Sequence, residues 1–115
     1  MPQVEINFSH DINDTIFNTM FHEIEVAINE LDSSAGVCKS RAYKAEIYLH
    51  THIYIDVLVM RKPHRDQTFI KTLHNQLLNV IEPHIPENCY YSLNLRFVGE
   101  YYFSGKKCSP VPEQN

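Results

Sequence analysis

Two stretches of this chain switch their hydrophobic period from two to about 3.6 and back again, and that double switch limits the folds open to it. Residues 2 to 8 place Val4, Ile6 and Phe8 on one face of a half-buried strand. Ile16, Phe17, Met20, Phe21, Ile24, Ala27, Ile28 and Leu31 then recur at three- and four-residue spacing, which predicts an amphipathic helix with Asn13 or Asp14 as its cap. Ser33, Ser34, Ala35 and Gly36 end it, and a strand rich in β-formers is expected from about Lys39 to Leu49. The pattern then repeats. Tyr54 to Met60 reads as a more fully buried strand, stopped by Pro63. Asp66 can cap a second helix whose apolar face is Phe69, Ile70, Leu73, Leu77, Val80 and Ile81, ended by Pro83. Tyr91, Leu93, Leu95 and Phe97 alternate as a fourth strand.

The order is β-α-β followed by β-α-β, with halves of similar length. Two such units side by side give a two-layer α+β sandwich, a four-stranded mixed sheet with both helices on one face. The connection His50-Thr51-His52 suggests that the second and third strands form a hairpin. With 115 residues the chain suits a single domain, expected over residues 1 to 103, with a loose or subunit-contacting tail from 104 to 115. The second sheet face has no cover from its own chain. Ala42, Tyr48, Tyr90 and Val98 are expected there, which points to burial against other subunits.

Charge narrows the function. The net charge of −4 argues against a general nucleic-acid binder. Residues 1 to 38 hold seven acids and no lysine or arginine, whereas six of the ten basic residues fall in two short segments, Lys39, Arg41 and Lys44 in one and Arg61, Lys62 and Arg65 in the other. Two such clusters around one pair of strands favour a small anionic ligand. No run of eighteen apolar residues occurs and the first twenty residues lack the features of a secretory signal, so a soluble cytoplasmic protein is expected, with no membrane partner. Cys38, Cys89 and Cys108 lack metal or redox spacing and read as free thiols. Histidines 50 and 52 lack a third ligand at diagnostic spacing, and no metal site is expected.

The residue with unusual chemical potential is Pro2. Removal of Met1 would leave it as a secondary amine at the start of a buried strand. Burial and nearby cations such as Lys39, Arg41 and Arg65 disfavour the protonated form, so a neutral amine could take a proton from carbon. Proline at one position by itself means little, since it makes up about 5% of residues. Its setting adds weight.

Met1-Pro2, Lys39-Ser40-Arg41 and His64-Arg65-Asp66 stand in mutually consistent places for a known pattern. Over residues 1 to 100 the chain resembles the tautomerase superfamily, and within it the 5-carboxymethyl-2-hydroxymuconate isomerases. Members begin Met-Pro, open their second strand with Arg-Ser-Arg and carry a Gly-Arg-Ser turn before their second helix. The resemblance implies a cofactor-free homotrimer that isomerises an unsaturated dicarboxylic acid in aromatic-compound catabolism. It also implies Pro2 as catalytic proton shuttle, with Lys39, Arg41 and Arg65 binding the substrate's carboxylates. Lys39 replaces an arginine of the motif and keeps its charge without the bidentate fork. Two alternatives stand beside this: a hydratase or dehalogenase of an unsaturated acid with a protonated Pro2, and a non-catalytic trimeric binding module.

Overall fold

The computed structural model describes residues 1 to 110, so the end of the expected tail, 111 to 115, lies outside the described residues. Within them the elements run β1 (Gln3–Ser9), α1 (Ile16–Leu31), β2 (Lys39–Ala45), β3 (His52–Val59), α2 (Gln67–Ile81), a 3-10 turn (Glu82–His84) and β4 (Tyr90–Phe97). The duplicated β-α-β order is present. β1 pairs with β2 in parallel across α1, and β3 pairs with β4 in parallel across α2. The two units join through an antiparallel β1–β3 pair, which gives the order β2-β1-β3-β4.

That order corrects the expected hairpin. β2 and β3 are never neighbours, because β1 lies between them and pairs with both. The connection from 46 to 51 instead carries the chain past the end of β1, where His10 N–H donates to the Ala45 carbonyl and Ser9 Oγ accepts from the His52 N–H. β2 therefore stops at Ala45 rather than Leu49, and His50 takes a positive φ of 64° within this crossing.

Strand alternation sets the core. Val4, Ile6 and Phe8 of β1 stand opposite Val57, Ile55 and Ile53 of β3, and all six are buried under the helices. Phe17, Met20, Ile24, Ala27 and Ile28 from α1, with Leu73, Leu77 and Ile81 from α2, close the layer. Fully burying each of these side chains other than Ala27 contributes about 1.5–3 kcal/mol. Asp66 caps α2 as expected, its Oδ1 accepting from Phe69 N–H at 2.8 Å. Neither Asn13 nor Asp14 caps α1. Thr15 holds the cap position without a side-chain bond, and Asn13 Oδ1 accepts from Thr15 N–H and Oγ–H to build the turn ahead of it.

The open face of the sheet is more polar than expected. Ala42 pairs with Ile6 and packs against the core on the helix side, while Tyr48 and Val98 fall outside the strands; Tyr90 alone of the four belongs to the open face. A row of charge crosses this face instead. Glu5 of β1 stands opposite Asp56 of β3, Arg41 of β2 donates to Glu5, and Arg96 of β4 donates to Asp56 at 2.8 Å. Two facing carboxylates repel, and an arginine on each outer strand offsets that repulsion.

Candidate active site

The antiparallel β1–β3 pair brings the start of β1 to the end of β3, with the start of β2 on one side and the end of β4 on the other. Everything that follows from Val98 to Ser104 leaves β4 at this same end. Pro2 is buried here, and its carbonyl accepts from Lys39 N–H at 3.0 Å. The terminal amine of Met1 lies 3.8 Å from Met60 Sδ. Beside it opens a cleft of about 470 Å³ lined by Met60, Arg61, Val98, Gly99, Glu100 and Tyr102.

Sequence reasoning named three cations for this site, and the fold treats each differently. Lys39 reaches Ser104 Oγ through Nζ, beside the amino terminus. Arg41 lies two residues further along β2 on the open face, where it donates to Gln3 Oε1 at 2.7 Å and to Glu5. Arg65 is buried. Its Nε and one terminal nitrogen donate to Asp32 Oδ2 at 2.9 and 2.8 Å, and the other donates to the Met60 carbonyl at 2.8 Å. Thus Pro2, Lys39 and Arg65 gather at one end of the sheet, while Arg41 connects to it only through Gln3.

Residues outside those three also shape the site. Arg61 lies over the Phe97 ring at 4.4 Å and faces the cleft. Tyr102 Oη donates to the Met1 carbonyl and accepts from Gln3 Nε2, both at 3.0 Å. Arg61 was visible as part of a cationic cluster. Tyr102 is one of seven tyrosines, any of which could serve the sheet, a subunit interface or the pocket, and no local spacing singles it out, because it lies 99 residues from Gln3 and meets it only through the fold.

Electrostatics at this end favour neutral amine. Burial first, then the Lys39, Lys62 and Arg65 cations, lower the amino terminus below its ordinary value. Burial alone would raise the Tyr102 phenol, but hydrogen bonds with Gln3 and Ser104 and the Lys39 cation outweigh it and leave the phenol more acidic than usual. Cys38, by contrast, is pushed up to about 12 by burial and by Glu25, so its thiol is inert beside the site. Among the described residues no group of three or more His, Cys, Asp or Glu side chains is placed to hold a metal ion. Nor is any described helix long and apolar enough to cross a membrane.

No family model and no curated protein matches the sequence. The fold does match solved structures. A 5-carboxymethyl-2-hydroxymuconate isomerase from Deinococcus radiodurans R1 superposes with a TM-score of 0.71 over 93% of this chain and 90% of that one, at 11% identity. A 5-carboxymethyl-2-hydroxymuconate delta-isomerase gives 0.72 over 93% and 89%, at 12% identity. A probable enzyme from the thermophilic fungus Aspergillus fumigatus gives 0.75 over 99% and 87%, at 8% identity. The resemblance read from Met1-Pro2 and the two cationic motifs therefore holds for the fold: the chain has the tautomerase-like architecture, and at these identities the likeness is one of fold.

Proposed function

We propose that the protein is a cofactor-independent tautomerase that interconverts the enol and keto forms of an unsaturated dicarboxylic acid, with Pro2 as the base once Met1 is removed. One observation carries the reading. The start of β1 is buried beside an open cleft, and burial, then Lys39, Lys62 and Arg65, lower the basicity of the Met1 amine placed there.

In the chain with Met1, the Pro2 nitrogen is an amide and has no basicity. Removal of Met1 converts it to a secondary amine in the same setting, where burial and nearby cations disfavour the protonated form, as a carbon-directed base requires. Arg61, which lines the cleft, and Lys39, which reaches Ser104 beside the amino terminus, bind the carboxylates of the acid. Arg65 has its N–H groups committed to Asp32 and Met60 and acts through its charge and by fixing the Met60 wall. Arg41 acts through Gln3 in the same way. The substrate class, a role in aromatic-compound catabolism, a cytoplasmic setting and a homotrimer belong to this proposal. The exposed Ile47, Leu49, Tyr101 and Phe103 support association of copies.

Mass spectrometry of the purified protein tests the premise, since retained Met1 blocks the amine. Turnover of 2-hydroxymuconate or phenylenolpyruvate tests the activity. Pro2→Ala is expected to abolish it, and undiminished turnover in that variant would end the proposal.

A further inference from the structure

We infer that Tyr102 is a second catalytic residue, a hydrogen-bond and proton donor to the substrate oxygen that forms the enol; the inference rests on Pro2 being the base. Tyr102 bridges the amino terminus and Gln3. Its hydroxyl donates to the Met1 carbonyl oxygen at 3.0 Å and its oxygen is held by Gln3 Nε2 at 3.0 Å. A carbonyl oxygen lies only about 2.3 Å from the nitrogen of its own amide, from standard bond lengths. When Met1 leaves, the acceptor disappears and the Tyr102 O–H faces the space beside the Pro2 nitrogen, at the edge of the cleft it already lines.

The Met1 carbonyl oxygen thus stands in for a substrate carbonyl oxygen. It sits next to the base and at 3.0 Å from a donor, the range required of a group that stabilises an oxyanion. Three neighbours hold the donor in place and make its proton easier to give. Gln3 anchors the phenol oxygen and is itself anchored by Arg41, whose second terminal nitrogen is tied to Glu5. Lys39, bonded to Ser104, adds a cation that favours a developing phenolate.

The step closes on its own atoms. Neutral Pro2 nitrogen takes a proton from the carbon next to the carbonyl, and the C–H electron pair becomes the C=C bond. The carbonyl π pair moves to oxygen, which takes the phenolic proton of Tyr102. The enol leaves, the Pro2 ammonium returns its proton to water, and the Tyr102 phenolate takes one up. Ketonisation runs the same steps in reverse. Arg41 then serves as a positioning residue, since it reaches the reaction only through Gln3.

The test uses the full-length protein with Met1 removal verified by mass, phenylenolpyruvate as probe acid, and the variants Tyr102→Phe and Pro2→Ala. Tyr102→Phe keeps the ring and is expected to lower kcat by about 100-fold while KM stays within about two-fold. A second readout is independent of turnover: the Pro2 nitrogen titrated by NMR. A phenol donating to the neutral amine favours that form, so Tyr102→Phe is expected to raise the titration midpoint. Unchanged kcat, or a loss confined to KM, overturns the role of Tyr102. Where the probe acid is not turned over, an unchanged Pro2 midpoint overturns it. Turnover that survives Pro2→Ala but falls in Tyr102→Phe removes the Pro2 reading instead, so the two failures are distinct.

Discussion

Arg65 and Asp32 are 33 residues apart in sequence, yet two guanidinium nitrogens of Arg65 meet a single carboxylate oxygen of Asp32 at 2.9 and 2.8 Å. The same oxygen accepts from His64 Nε2 at 2.7 Å, and the other takes the Ser34 N–H and hydroxyl. This cluster ties the end of α1 to the turn before α2. Through the bond from Arg65 to the Met60 carbonyl, it also fixes one wall of the cleft.

Asp32→Ala strands a guanidinium whose side chain is 3% exposed, and is expected to cost about 3–5 kcal/mol in chemical denaturation. Burial alone would raise the Asp32 carboxyl, but bonds from Ser34, His64 and Arg65 hold it well below the usual carboxylate range. A carboxyl depressed in the folded state stabilises fully above its unfolded value and loses that contribution as pH falls. The stability gap between parent and Asp32→Ala is therefore constant above about pH 5 and narrows below about pH 4. A gap that widens in acid would contradict the assignment.

Lys39 is a leading cationic influence on the amino-terminal amine, second only to burial. With Met1 removed, Lys39→Met is expected to raise the amine's titration midpoint, since a lost cation makes protonation easier. A base must be neutral to act, so the acid limb of kcat/KM for enolisation should move to higher pH in the variant. Loss of the charge should also raise KM for a dicarboxylic acid by about ten-fold or more. Superimposable pH profiles would remove Lys39 from the site.

The Asp66 cap on α2 can be tested by thermal unfolding. Asp66→Ala removes the acceptor of the Phe69 N–H and is expected to cost about 1 kcal/mol, whereas Asp66→Ser should retain most of the stability. Equal losses in both would show that the side-chain bond contributes nothing.

Thiol reactivity separates two of the cysteines. Cys108 is exposed, whereas Cys38 is pushed up to about 12 by burial and by Glu25. At pH 8 roughly one Cys38 thiol in ten thousand is ionised, so iodoacetamide should label Cys108 and leave Cys38 unmodified in the native protein. Peptide mapping that finds Cys38 labelled first would show that its surroundings open readily.

Helix faces and strand faces were legible in the sequence because each follows from local spacing. Val4, Ile6 and Phe8 point into the core for the same reason that Leu73, Leu77 and Ile81 do: apolar residues at the period of their element form one surface. The Asp66 cap was legible too, since its acceptor and donor are three residues apart. Pro2 and the cationic segments were visible as residue types, and the fold gathers Pro2, Lys39 and Arg65 at one end of the sheet.

Strand order was not legible. Period-two alternation says which face is buried but not which strand lies beside which, so the adjacent β2 and β3 read as a hairpin until β1 was seen between them. The partners of the arginines were hidden for a related reason. Arg65 with Asp32 and Arg41 with Gln3 and Glu5 are pairs 33 to 38 residues apart, and no local spacing encodes such meetings. By itself the sequence determined the elements, the buried faces of both helices and of β1 and β4, and the duplicated order, all set by interactions within a turn or a strand. Only the tertiary structure decided that β1 is central, that Arg65 is spent on Asp32, and that Tyr102 stands beside the amino terminus, because those depend on packing between segments far apart in the chain.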